Sequence, residues 1–231
     1  MFAFWRMQGL GVHPPVEKGA AVGTFDDLQG GHVLVSPDKF KGSLTAPEVA
    51  GHIAAGLRRV RPSVPVVLLP VADGGEGTVD AAISAGWKRI ELEVNGPGAR
   101  PVRTCFAVED GTAIIEPPGT QGIRRRPSDG LQPLNATSAG TGQMIAEAVR
   151  LGMRRIVLGL GASGGADGGA GMVQALGGRL LDAYGQPLPP GGAALRSLHA
   201  VDLRGLIDLS SVEFVVVGDV GSPLLGREGA A

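Results

Sequence analysis

Apolar residues recur along this chain in two rhythms, and the switch between them organises it. HVLVS (32–36) is an apolar run of strand length. Val49, Ile53, Leu57 and Val60 follow at three- and four-residue intervals, which predicts a helix over 46–60. The helix opens on Thr45-Ala46-Pro47-Glu48, a capping box with proline in the first turn, and Pro62 and Pro65 end it. VPVVLLPVA (64–72) is uniformly apolar and predicts a strand covered on both faces. A short helix over 78–85 closes on Gly86. Strand, helix, strand, helix in this order predicts a parallel, right-handed α/β unit.

The period then becomes two. Residues 89–94 alternate, 96–98 turn, 102–108 form another strand, and Glu109-Asp110-Gly111 turns into a strand over 112–115. This predicts an antiparallel segment with one face exposed, and the start of a second domain. From residue 138 the helical rhythm returns: a helix over 138–151, a strand over 155–158, a glycine loop, a helix over 169–176, and strands over 179–182 and 212–217. Residues 1–31 carry six glycines and no periodicity, and read as a disordered extension.

Composition adjusts this picture at one point. Glycine supplies 39 of 231 residues, about 17%, against an average of about 7%. With 43% hydrophobic residues and a net charge of −1, the chain is a packed globule rather than a low-complexity one. The glycines therefore have local jobs. The balanced charge excludes an electrostatic footprint for nucleic acid, and no apolar run is long enough to span a membrane. One cysteine, Cys105, reads as a small core residue and fits a cytoplasmic protein. The four histidines show no metal-ligand spacing. Only four cations are lysines, and Lys39 and Lys41 stand together.

Three segments carry candidate chemistry. Residues 36–46 join a strand to a helix N-terminus, where open α/β sheets place ligands. Lys39 and Lys41 suit a phosphate or carboxylate there, Asp38 a proton or a metal, and Ser43 adds a hydroxyl. Asp73-Gly74-Gly75-Glu76-Gly77 again follows a strand: the glycines form an amide nest, and the two acids offer metal ligands or a base. Residues 159–171 hold seven glycines, more than packing is expected to require. Gly159-x-Gly161-x-x-Gly164 with Asp182 at the next strand end matches a dinucleotide fingerprint, and Gly161-x-Ser163-x-Gly165 matches a nucleophile elbow, with Asp182 and His199 in permitted order. The third reading is a loop cradling the phosphates of ATP, with Asp167 beside the metal. No glycine is followed by lysine, so the classical P-loop is excluded. Thr137 and Ser138 read as helix caps.

Taken together, PDKFKGSLTA (37–46), LPVADGGEGTVDA (69–81), TSAGTGQMI (137–145), GLGASGGADGGAGM (159–172) and GDVGSPLLGREGA (218–230) resemble the type I glycerate kinase family. The resemblance covers residues 32–231 and has departures: Glu116-Pro-Pro-Gly replaces the usual Glu-Ala-Ser/Thr-Gly stretch, and Ser222 stands where the family has Asn. It implies phosphorylation of D-glycerate, at the 2-hydroxyl by preference, with ATP and Mg²⁺. It implies an α/β fold, with a doubly wound parallel-sheet domain into which a second α/β domain is inserted. On that plan residues 32–87 are the N-terminal part of a Rossmann- or flavodoxin-like domain without its C-terminal return, and 88–231 the second domain, incomplete at its end. The expected partners are D-glycerate and ATP, with no nucleic acid and no membrane. The expected catalytic residues are Lys41, Asp73 and Asp167. Substrate or phosphate binding falls to Asp38, Lys39, Ser43, Gly74, Gly75, Glu76, Gly161, Ser163, Gly164, Gly165, Gly168 and Gly169. Asp167 and Asp219 are placed near Mg²⁺. The alternatives are an inactive truncated homologue that only binds nucleotide or phosphate, and, more distantly, a dinucleotide-binding oxidoreductase.

Overall fold

The computed structural model describes residues 31–40, 43–118, 133–161, 165–218 and 226–227. Strand β1 (Val33–Val35) leads into helix α1 (Ala46–Val60) and strand β2 (Val66–Leu68), which pairs parallel with β1. The capping box at the start of α1 is formed: Glu48 N–H donates to Thr45 Oγ1, and Thr45 N–H donates to the Glu48 carboxylate at 2.8 Å. Val49, Ala50 and Ala54 of α1 are buried, as is Val35. The outer face of the ribbon differs from the expectation for 64–72. Leu34, Val67 and Leu68 are 43–52% exposed, because among the described residues α1 covers one face and no layer lies on the other.

Helix α2 (Thr78–Ser84) leads to a five-stranded sheet in the order β3-β4-β5-β6-β9. Strands β3 (Lys88–Asn95), β4 (Pro101–Glu109) and β5 (Thr112–Ile115) form an antiparallel meander. Asp110 and Gly111, at φ +43° and +73°, make the two-residue turn that matches strand twist. Strands β6 (Arg155–Gly159) and β9 (Glu213–Val217) then add in parallel. The protein is thus mixed α/β with parallel pairing in both larger parts.

Side-chain alternation divides this sheet between two helices. Phe106, Ala113, Ile115, Ile156 and Leu158 face helix α3 (Ala139–Arg150), where Met144, Ile145 and Ala148 close the core. Burying each of the large side chains is worth about 1.5–3 kcal/mol. Cys105, Ala107 and Ile114 face the other way, onto Val79 and Ala82 of α2. So the antiparallel segment is covered on both faces across Thr104–Ala107, where alternation predicted one exposed face. The reason is that α2, which precedes the segment, folds over it.

Helix α4 (Ala170–Ala175) packs on α3 and leads to β7 (Arg179–Leu181), which pairs antiparallel with β8 (Ala200–Asp202) outside the main sheet. That placement overturns the dinucleotide fingerprint. In such a unit the strand after the helix lies parallel beside the first, with its acid on the ribose. Here Asp182 instead accepts the Tyr184 and Gln186 amides of its own turn.

Candidate active site

The carboxyl ends of β1, β2, β6 and β9 come together through backbone. Gly74 N-terminal to α2 lies at φ +89°, and a Cβ there would stand 2.6 Å from Val217 Cγ1 at the end of β9. A Cβ on Gly159 would strike the Gly74 carbonyl, and one on Gly161 would strike Gly75 Cα. Gly161 N–H donates to Gly74 O at 3.3 Å. Gly74, Gly159 and Gly161 therefore interlock two loops, a packing demand that their composition did not announce. Gly171 is a further instance, since a Cβ would meet Thr137 Oγ1 and Ala139 N.

The interlock carries Asp73 to Lys39. Lys39 Nζ lies 3.3 Å from Asp73 Oδ1 and 3.4 Å from Asp38 Oδ1. The lysine side chain is 12% exposed, while the two carboxylates are 40–42% exposed. Gly75 N–H donates to Asp73 Oδ1 at 2.8 Å, and Thr78 Oγ1 donates to Gly75 O at 2.8 Å, which fixes the turn. Burial pulls the Lys39 ammonium down, but Asp38 and Asp73 outweigh it and hold it above its ordinary pKa. Burial pushes Asp73 up, but the Gly75 amide and Lys39 outweigh it and hold the carboxyl below the usual range. Both groups stay charged at neutral pH. Lys39, Thr45, Pro47, Glu76, Gly77 and Asp80 line a shallow open pocket of about 30 Å³ at the starts of α1 and α2.

Of the expected site residues, Asp38, Lys39, Asp73, Gly75 and Glu76 gather here. Ser43 turns away, its hydroxyl donating to Phe40 O at 3.0 Å. Lys41, Ser163, Gly164 and Asp219 lie outside the described residues. Gly165 packs beside Ala136, and Gly168 and Gly169 take positive φ in the turn that starts α4.

Asp167 is 4% exposed, and its carboxylate is occupied. Oδ2 accepts Ser138 N–H at 2.7 Å, Ser138 Oγ–H at 2.9 Å and Gly171 N–H at 3.1 Å; Oδ1 accepts Gly169 N–H at 3.1 Å. Three of these four donors fall on Oδ2 and one on Oδ1. In this arrangement Asp167 clasps the starts of α3 and α4, and its partners are these groups rather than Lys39 or Asp73. Ser138, expected to cap its own helix, makes no side-chain cap there and instead accepts Met172 N–H at 2.9 Å.

Sequence reading missed Glu116. It follows β5, is 1% exposed, and accepts Val79 N–H at 2.6 Å and Gly77 N–H at 3.4 Å. Burial pushes its pKa up to about 7, against the pull of these amides. The available signal was the missing cap on α2, whose N-cap is Gly77.

Among the described residues no group of three or more His, Cys, Asp or Glu is placed to hold a metal ion. Mg²⁺ commonly takes one or two carboxylates and completes its shell with water and phosphate oxygens. The part-exposed Asp38 and Asp73 fit that donor set. No helix among the described residues is long and apolar enough to cross a membrane.

Comparison with known proteins places the chain among relatives. The model of the glycerate kinase family matches residues 33–231. The glycerate kinase of Bacillus subtilis (strain 168) is 46% identical over 202 residues, 86% of this chain and 53% of that protein. The glycerate 2-kinase of Escherichia coli (strain K12) is 42% identical over 204 residues, again 86% and 53%. A crystal structure from Salmonella typhimurium LT2, of a protein assigned as glycerate kinase 2, superposes with a TM-score of 0.74 at 41% identity, covering 86% of this chain and 54% of that one. The chain spans about half the length of the curated relatives it matches.

Proposed function

The chain belongs to the glycerate kinase family, and on that premise we propose that it takes part in ATP-dependent phosphorylation of D-glycerate to 2-phosphoglycerate. The observation that carries the reading is the Lys39–Asp73 pair, held between two βα loops beside an open pocket. Phosphoryl transfer requires positioning and charge neutralisation more than covalent chemistry. Lys39, kept protonated, supplies fixed positive charge for the glycerate carboxylate or the transferred phosphoryl group, with Lys41 as a second cation. Asp73, kept ionised, is a weak base but a strong acceptor. It orients the attacking hydroxyl and takes its proton late, as the bond to phosphorus forms. Cradling the nucleotide phosphates falls to Ser163, Gly164, Gly165 and Gly168. Asp73 with Asp38 or Asp219 would hold Mg²⁺, which would supply neutralisation of phosphate charge. Asp167 supports the loop through its clasp. The finer architecture is a doubly wound domain, begun by residues 32–87, with 88–231 as the inserted domain.

The test is an ADP-release assay with ATP, Mg²⁺ and D-glycerate, and NMR identification of the product. Lys39→Ala and Asp73→Asn are each expected to lower kcat by roughly a hundredfold or more, the scale of losing one oriented charged group at a transferring centre. ATP binding without ADP release by the folded wild-type chain refutes the kinase reading and leaves a nucleotide-binding module.

A further inference from the structure

Among the described residues, Glu116 is the one buried carboxylate at this end of the sheet that the proposed chemistry does not use. Burying an ionisable carboxyl costs several kcal/mol unless it is well paired. Among the described residues its partners are backbone amides: Val79 N–H at 2.6 Å and Gly77 N–H at 3.4 Å. An N-cap side chain normally accepts from the N2 or N3 amide of its own helix. The N-cap of α2 is Gly77, with no side chain, and Val79 is the N2 position, so Glu116 supplies the cap from strand β5.

The contacts continue from there to the proposed centre. The Lys39 stem lies 3.8 Å from where a Gly77 Cβ would be. Thr78, between the two capped amides, donates its hydroxyl to Gly75 O, and Gly75 N–H donates to Asp73. Displacing Gly77 therefore disturbs both the seat of Lys39 and the amide that holds Asp73. We infer that Glu116 is a positioning residue, which fixes the Asp73–Gly77 turn from the end of β5 so that Lys39 and Asp73 meet. Its effect on turnover rests on the proposed phosphoryl transfer; its hold on the turn does not.

The charged and titratable groups around it are few. Asp80 of α2 raises its pKa together with burial, and Cys105 of β4 is coupled to it more weakly. With a pKa pushed up to about 7, Glu116 changes protonation near neutrality. A protonated carboxyl keeps one carbonyl acceptor and turns the other oxygen into a donor, so it releases one of the two amides.

The experiment uses the full chain with Glu116→Gln and Glu116→Ala, reading amide hydrogen exchange by NMR. In Glu116→Gln, exchange at Gly77 is expected to rise roughly tenfold, the equivalent of one hydrogen bond, while Val79 stays protected. In Glu116→Ala both amides exchange faster, and so does Gly75 N–H, which holds Asp73. Unchanged exchange at Gly77 in Glu116→Gln overturns the inference, even if Glu116→Ala fails to fold. Faster exchange spread evenly over β4, β5 and α3 also overturns it and leaves general support only. In the turnover assay Glu116→Gln is expected to lose roughly tenfold in kcat with KM for D-glycerate little changed. The wild-type pH profile should show a step near pH 7 that Glu116→Gln lacks. If the wild-type chain has no turnover, the proposed function fails while the exchange still decides the role of Glu116.

Discussion

Replacing Gly74 with alanine tests the interlock that delivers Asp73 to Lys39. Two costs act together at this position. The backbone lies at φ +89°, where an L-residue costs about 1–2 kcal/mol. The new methyl would also stand 2.6 Å from Val217 Cγ1 and 2.7 Å from the Val217 carbonyl oxygen, where real Cβ atoms keep at least 3.0 Å. Overfilling a packed site of this kind costs about 1–3 kcal/mol. Alanine returns about 0.4–1 kcal/mol by stiffening the unfolded chain. The balance is a loss of about 3 kcal/mol. Two other glycines separate the contributions. Gly86 has φ +104° and open space around it, so Gly86→Ala carries the conformational cost alone, about 1 kcal/mol net. Gly56, inside α1 with nothing within 4 Å, should gain about 0.5–1 kcal/mol as alanine. Urea denaturation followed by circular dichroism should rank them Gly56→Ala, wild type, Gly86→Ala, Gly74→Ala, from most to least stable. Equal losses for Gly74→Ala and Gly86→Ala would mean that Val217 yields freely, and the interlock reasoning would be wrong.

Asp167→Ala strips an acceptor from Ser138, Gly169 and Gly171 and should cost about 3 kcal/mol in the same assay. Asp167→Asn, which keeps one acceptor oxygen, should cost less, and equal stability of all three chains would refute the clasp. Glu116 gives a pH dependence whose sign is fixed by its raised pKa. The folded state holds this proton more tightly than the unfolded one, so stability falls as pH rises from about 4.5 to about 7 and then levels. Set against Glu116→Gln, the difference should approach about 3 kcal/mol across that window in urea titrations at several pH values, and parallel profiles would contradict it. Asp73 acts in the opposite sense. Its carboxyl is held below the usual range, so the stability it adds is present above the unfolded value and is lost as pH falls through the folded one. Asp73→Asn should therefore flatten the acid limb of the stability curve, and an unchanged limb would argue against the Lys39 contact.

Most elements were legible because each is announced locally. Thr45 and Glu48 mark the start of α1, the period-two run marks β3, and Asp110-Gly111 marks the β4–β5 turn. The likeness of the motifs to glycerate kinases was equally open to reading, and the family match over residues 33–231 agrees with it. What escaped was pairing across distance. A glutamate after a strand looks like a solvated strand end until the amides 37 and 39 residues away are known to point at it. A glycine-rich loop suggests a ligand because both a phosphate and a second backbone need the same bare approach. Composition does not tell them apart, and at Gly74, Gly159 and Gly161 a neighbouring chain segment stands close enough to demand glycine by itself. The two-faced burial of Thr104–Ala107 was hidden for the same reason, since a helix from earlier in the chain returns to cover it.

The borrowed cap on α2 has a consequence for the order in which the chain folds. A helix of seven residues is far below the length at which helices persist alone in water, and α2 begins on a glycine. Its stabilising acceptor is encoded 37 residues later, beyond the whole meander. Closing that loop costs chain entropy before the contact returns anything. α2 should therefore condense only after β4 and β5 have paired, carrying the Asp73 turn into place with it. In kinetic terms, substitutions at Val79 or Glu116 should mainly speed unfolding, while substitutions at Phe106 or Ile115, which face α3, should slow folding.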